Sequence, residues 1–69
     1  MTDLEKLKHL LEHWMEHNEA HVQTYGEWAS KADSLGKGEI AVLLRQVIDE
    51  SNKLKALLKK AAENLEFGV

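Results

Sequence analysis

Apolar residues recur along this chain at spacings of three and four from one end to the other, and no proline interrupts them. That is the period of an α-helix, which returns a side chain to the same face every 3.6 residues, and not the strict alternation of a strand. One stretch breaks the pattern. Ser34-Leu35-Gly36-Lys37-Gly38 holds two closely spaced glycines, and Gly36 suits the left-handed residue that ends a helix. The pattern predicts an all-α chain with a helix over residues 3–35, a turn over 36–38 and a helix over 39–65, in a single domain spanning 1–69. Thr2 and Glu5 have the T-x-x-E spacing of a capping box at the first helix start, with carboxylates in its first turn. Lys59 and Lys60 bring positive charge towards the carboxyl end of the second.

So short a connection makes the two helices antiparallel neighbours, a helical hairpin. A heptad reading draws the first seam through Leu4, Leu7, Leu11, Trp14, Asn18, His21, Tyr25, Trp28, Ala32 and Leu35. The second runs through Ile40, Leu44, Val47, Ser51, Leu54, Leu58, Ala61 and Leu65. Leu10, Met15, Val22, Leu43, Leu57 and Ala62 flank these lines, so each apolar stripe is wider than one partner helix covers. The surplus predicts a homodimer, two hairpins closed into a four-helix bundle. Gly26 stands inside the first helix at a cost of about 1 kcal/mol relative to alanine; either a close backbone approach beside Trp28 or a bend would account for it.

Length sharpens the expectation of association, because 69 residues are few for one self-sufficient core. The chain has no cysteine, which removes disulfides and thiolate metal sites and leaves self-association or a non-thiolate metal as the remaining supports. No apolar run nears the roughly 20 residues that cross a bilayer, and the opening MTDLEKL lacks the basic start and apolar stretch of a signal peptide. A soluble, cytoplasmic protein is expected, with no membrane contact. Net charge is −3, without the basic stripe that nucleic acid requires.

The distribution of charge matters more than its sum. No lysine or arginine occurs between Lys8 and Lys31, and that window contains all four histidines together with Glu12, Glu16, Glu19 and Glu27. His9, His13, His17 and His21 are spaced by four, three consecutive copies of the H-x-x-x-H element by which one helix face grips a metal ion. Each step of four drifts by roughly 40°, so the ladder spirals. With Leu11 and Trp14 taken as the buried direction, His9 and His13 point to water, His17 lies on the shoulder and His21 turns towards the seam.

The preferred metal pair is therefore His17 and His21, with His13 as a further candidate one step along the ladder. Folding about residues 36–37 brings His21 level with Asp49 to Asn52, where Glu50 or Ser51 faces it. Imidazole and carboxylate suit divalent transition ions such as nickel, zinc, cobalt and copper, and a cation-free acidic window favours holding them. The alternative is a metal-free protein–protein interaction module, in which His21, Asn18 and Ser51 form a polar layer that fixes register and the outer histidines are solvated. Its partner would be a second copy or another protein.

Two enzymatic patterns fail. His9-Leu10-Leu11-Glu12-His13 and His13-Trp14-Met15-Glu16-His17 match the H-x-x-E-H of inverted zinc proteases, but two helices supply neither the distant third ligand nor a substrate cleft. Hemerythrin-like oxygen chemistry needs histidines on the second helix, which has none. No catalysis is expected.

The stretches HLLEHWMEHNEAH and TYGEWASKADSLGKGEIAVLLRQ resemble a small, functionally uncharacterised helical-hairpin family of prokaryotes with the pattern L-x-H-W-x-x-H-N-x-x-H. The likeness covers most of the chain and is most specific at His13-Trp14, His17-Asn18 and His21. It implies a two-helix fold and a loose association with the handling of nickel or related metals in anaerobes, with His17 and His21 inheriting any ligand role. Gly26 departs from the charged residue expected there.

Overall fold

The computed structural model describes residues 2–66, which form two helices and the turn between them. Helix α1 is Asp3–Ser34 and helix α2 is Gly38–Glu66. At about 1.5 Å per residue a helix of 32 residues is about 48 Å long. The chain measures 50 × 20 × 11 Å, so it is one helix long and two helices wide. Residues close to the turn meet each other and residues far from it meet each other, as Asp33 with Arg45 and Glu19 with Lys55, which makes the pair an antiparallel hairpin.

Both ends of α1 are determined by local chemistry. Thr2 Oγ1 accepts the Glu5 N–H at 3.2 Å while Glu5 Oε1 reaches back to the Thr2 N–H, which completes the capping box. At the other end of α1, Gly36 takes φ +75°, its N–H donates to Asp33 O at 3.1 Å, and the Lys37 N–H donates to Ala32 O at 2.8 Å. Those two bonds are the Schellman pattern, which stops the helix at Ser34, one residue before the expected end.

The contact stripe of α1 runs through Leu11, Met15, Asn18, Val22, Tyr25, Ala29 and Ala32. That of α2 runs through Ala41, Leu44, Ile48, Ser51, Lys55, Leu58, Ala62 and Leu65. Every second position differs from the expected seams. Met15, Val22 and Ala29 take the places given to Trp14, His21 and Trp28, and Ala41, Ile48, Lys55 and Ala62 those given to Ile40, Val47, Leu54 and Ala61. The cause lies beside the turn, where a short link holds the helix axes close and leaves room for methyl groups only. Ala41 is 0% exposed, Ala29 2% and Ala32 7%, whereas Trp28 is 51% exposed. An indole between the axes there would force them apart, so each helix turns by about half a residue step, about 50°, and alternate seam positions change along its length.

The rotation leaves a thin core. Among the described residues the buried apolar side chains are Leu11, Ala29, Ala32 and Ala41. Gly26 sits half-buried inside an unbroken α1, and a methyl group there would meet Ile48 Cδ1 at 4.0 Å, an ordinary contact. The structure thus keeps α1 continuous through Gly26 and shows no close approach there.

Candidate metal centre

Positions four apart on a helix hold their Cβ atoms about 5–6 Å from each other, close enough for two imidazoles to meet at their tips. His17 and His21 do so. Their Nε2 atoms are 2.9 Å apart and their rings stand edge to face, with centroids at 4.5 Å and an interplanar angle of 81°. In this state one ring donates its N–H to the lone pair of the other.

The rest of the ladder is looser. The His13 ring lies 5.9 Å from that of His17, tilted by 31°, and no nitrogen contact joins them. On the far side Tyr25 stacks on His21 at 5.9 Å and 16°. Tyr25 extends the spacing of four by one further step, a signal present in the sequence but read there as core alone. His9 is exposed and takes no part in this ring series.

His21 is also exposed, and not turned into the seam as expected, because the stripe has rotated to put Val22 there. Asn18 remains in the stripe and donates its Nδ2 hydrogen to Ser51 O at 2.9 Å, a polar bond between the helices at the level of the histidine pair. Thus Asn18 and Ser51 meet as a layer, without His21. Glu50 neighbours that layer on α2, and its Oε1 accepts from Lys53 Nζ at 3.1 Å, one turn along the same helix. Among the described residues no three His, Asp or Glu side chains converge on one point. The pair is a two-nitrogen site.

Its geometry can be compared with a metal's needs. Bonds of about 2.0–2.1 Å from one ion to two nitrogens 2.9 Å apart enclose an angle near 90°, and a tetrahedral angle needs the nitrogens only about 0.4 Å further apart. The two nitrogens thus already stand at a ligand spacing, and an ion replacing the shared proton requires each ring to turn its lone pair from the other nitrogen towards the ion.

The family described as Domain of unknown function (DUF8180) matches residues 7–65, both helices and the turn between them. The chain belongs to this family. A relative in Archaeoglobus fulgidus, described as an uncharacterized protein, is 40% identical over 60 residues, which are 87% of this chain and 95% of the relative. No solved structure matches the chain. A small uncharacterised family and an uncharacterised archaeal homologue are thus shown, and the matched residues take in every histidine of this chain's ladder, without showing that the family shares the histidine pattern. The match carries no information about metal.

Proposed function

We propose that this protein is a small, non-catalytic metal-binding or metal-handling accessory of the cytoplasm, which holds a divalent transition ion through His17 and His21 as a dimeric four-helix bundle. The observation that carries the reading is the convergence of the two Nε2 atoms at 2.9 Å, the separation of neighbouring ligands around one ion. The surroundings support it. Glu12, Glu16 and Glu19 share the helix, no lysine or arginine of α1 lies between Lys8 and Lys31, and Lys55, which α2 brings to this window, is paired with Glu19 at 3.2 Å. Borderline ions that accept imidazole, nickel and copper above all when the angle is near 90°, suit the pair best. The dimer is supported by the four-residue buried core, which is small for two helices of this length. No helix among the described residues is long and apolar enough to cross a membrane.

A second reading draws on a different observation. The Asn18–Ser51 bond places a polar layer between the helices, the device by which bundles specify register, and the two histidines satisfy each other without an ion. On that reading the chain is a metal-free interaction module. Calorimetric titration of chelator-stripped protein with nickel or zinc chloride separates the two. Metal binding predicts saturable uptake that falls at least tenfold in affinity in His17→Ala and again in His21→Ala. Equal uptake by the wild type and the double variant would leave the interaction module standing.

A further inference from the structure

The hairpin has two unlike faces. Counting about 100° per residue from the contact stripe, Glu19 and Asp33 project to one side of α1 and Leu7, Trp14, His21 and Trp28 to the other. Because α2 runs the opposite way, the same count puts Arg45 beside Asp33 and puts Ile40, Val47 and Leu54 on the side of the tryptophans. Ten of the twelve large apolar side chains left exposed lie on that second side, leaving Leu4 at the open end and Val42 elsewhere. From Leu7 onward, the formally charged residues of this face are Lys31, laid over the Trp28 ring at 4.2 Å, Glu39 near the turn, and Glu50. A continuous apolar surface depleted of charge is what a buried interface requires.

We infer that a second copy of this chain covers this face, and that the two copies together build one metal site from the four imidazoles of His17 and His21 in each. The inference rests on the metal-binding reading above and adds its stoichiometry and its location. Three observations lead to it. The face measures about 50 × 20 Å, or about 1,000 Å², against the roughly 800 Å² per partner that a specific dimer buries. The histidine pair lies inside the face, with Trp14 seven residues before His21 and Trp28 seven after, so whatever covers the tryptophans also covers the pair. And two nitrogens fall short of the four ligands that close a structural site, with no third ligand in the same chain among the described residues.

Symmetry then brings the missing ligands to the right level. Closed dimers are overwhelmingly two-fold, and two hairpins can meet face to face around a two-fold axis in two ways. With the axis along the helices, equivalent residues share a level by necessity. With the axis across them, the level at which it crosses sets the register, and an axis crossing α1 at the midpoint of Asp3–Ser34, which His17 and His21 straddle, puts the two pairs level. Either arrangement then allows four imidazoles in one layer. Glu50 lies beside that layer, since Asn18 bonds to its neighbour Ser51, and one Glu50 from each copy would balance a dication removed from water once released from Lys53, which it meets at 3.1 Å.

Sedimentation equilibrium combined with nickel chloride titration of the chelator-stripped full chain tests this directly. The expected particle has twice the 7.9 kDa chain mass and binds one nickel per two chains. His17→Ala/His21→Ala stays dimeric and loses the ion. Val47→Glu/Leu54→Glu, two exposed positions outside the contact stripe, gives a helical monomer whose nickel affinity is at least tenfold weaker. A monomer binding one nickel per chain would overturn the shared site while leaving metal binding intact. A dimer that takes up no nickel would overturn the shared site together with metal binding. A wild-type monomer that binds no nickel would assign the apolar face to a different protein. The wild-type mass and stoichiometry decide among these even should the double glutamate variant fail to fold.

Discussion

The two faces of the hairpin answer the same problem differently. On one, the chain completes its own bonds: Arg45 Nη2 meets Asp33 Oδ2 at 2.6 Å and Lys55 Nζ meets Glu19 Oε1 at 3.2 Å, each pair joining α1 to α2. On the other, Trp14, Trp28, Ile40, Val47 and Leu54 stay exposed, with Trp14 at 44% and Trp28 at 51%. Between them runs a contact stripe built chiefly of small or half-buried side chains. A chain that pairs its charges internally but leaves its aromatics outside fits the proposed half of an assembly, since apolar area removed from water is the dominant favourable term in folding and association alike. The comparison also locates the histidines. His17 and His21 follow the aromatics and not the ion pairs.

Perturbing each surface in turn should reveal the difference, and the largest effect on the hairpin itself is expected in the stripe. Ala41 is fully buried where the helices are closest, so Ala41→Leu forces the axes apart and should destabilise the fold by about 1–3 kcal/mol in denaturant titration. An unchanged midpoint would mean that the turn end is not tightly packed. Gly26→Ala acts in the opposite direction. The site accepts a methyl group against Ile48 at 4.0 Å, and alanine removes a helix-interior glycine, for a gain approaching 1 kcal/mol. A loss of stability there would reveal a backbone constraint at Gly26 that the continuous helix does not show. The smallest effect belongs to the ion-pair face. Both partners of Asp33–Arg45 are about half exposed, so Asp33→Asn should cost no more than about 0.2–1 kcal/mol and less still in molar salt. A larger, salt-independent cost would show that this face contributes more to the fold than its exposure implies.

Much of the fold was legible from particular residues. Thr2 and Glu5 announced the capping box, Gly36 the left-handed stop, and the unbroken spacing of three and four the two helices. The direction of each helix was not. Two adjacent lines of apolar positions, one through Trp14 and Trp28 and the other through Met15, Val22 and Ala29, fit the period equally well. Size decided between them, because Ala29, Ala32 and Ala41 cluster beside the turn and only small side chains fit between axes held so close. The rotation then moved His21 from the expected seam to the outer face. At the candidate centre the spacing of His17 and His21 was readable as a pair, and their meeting at 2.9 Å follows from it. The partner of Glu50 was not readable, since Lys53 on its own helix lies nearer than anything across the interface that spacing alone could name.

The central claim is that the histidine pair binds metal in the folded protein, and linkage tests it most directly. An ion that binds the folded form and not the unfolded chain stabilises it by about 2.7 kcal/mol at a hundredfold excess over Kd. For a chain of this size that raises Tm by about 10 °C or more. Thermal unfolding followed by circular dichroism, on chelator-stripped protein with and without nickel chloride, should therefore show a clear rise for the native chain and none for His17→Ala/His21→Ala. Coincident melting curves for the native chain with nickel, with zinc and with chelator would contradict the claim, leaving the histidine ladder as part of the bundle's architecture.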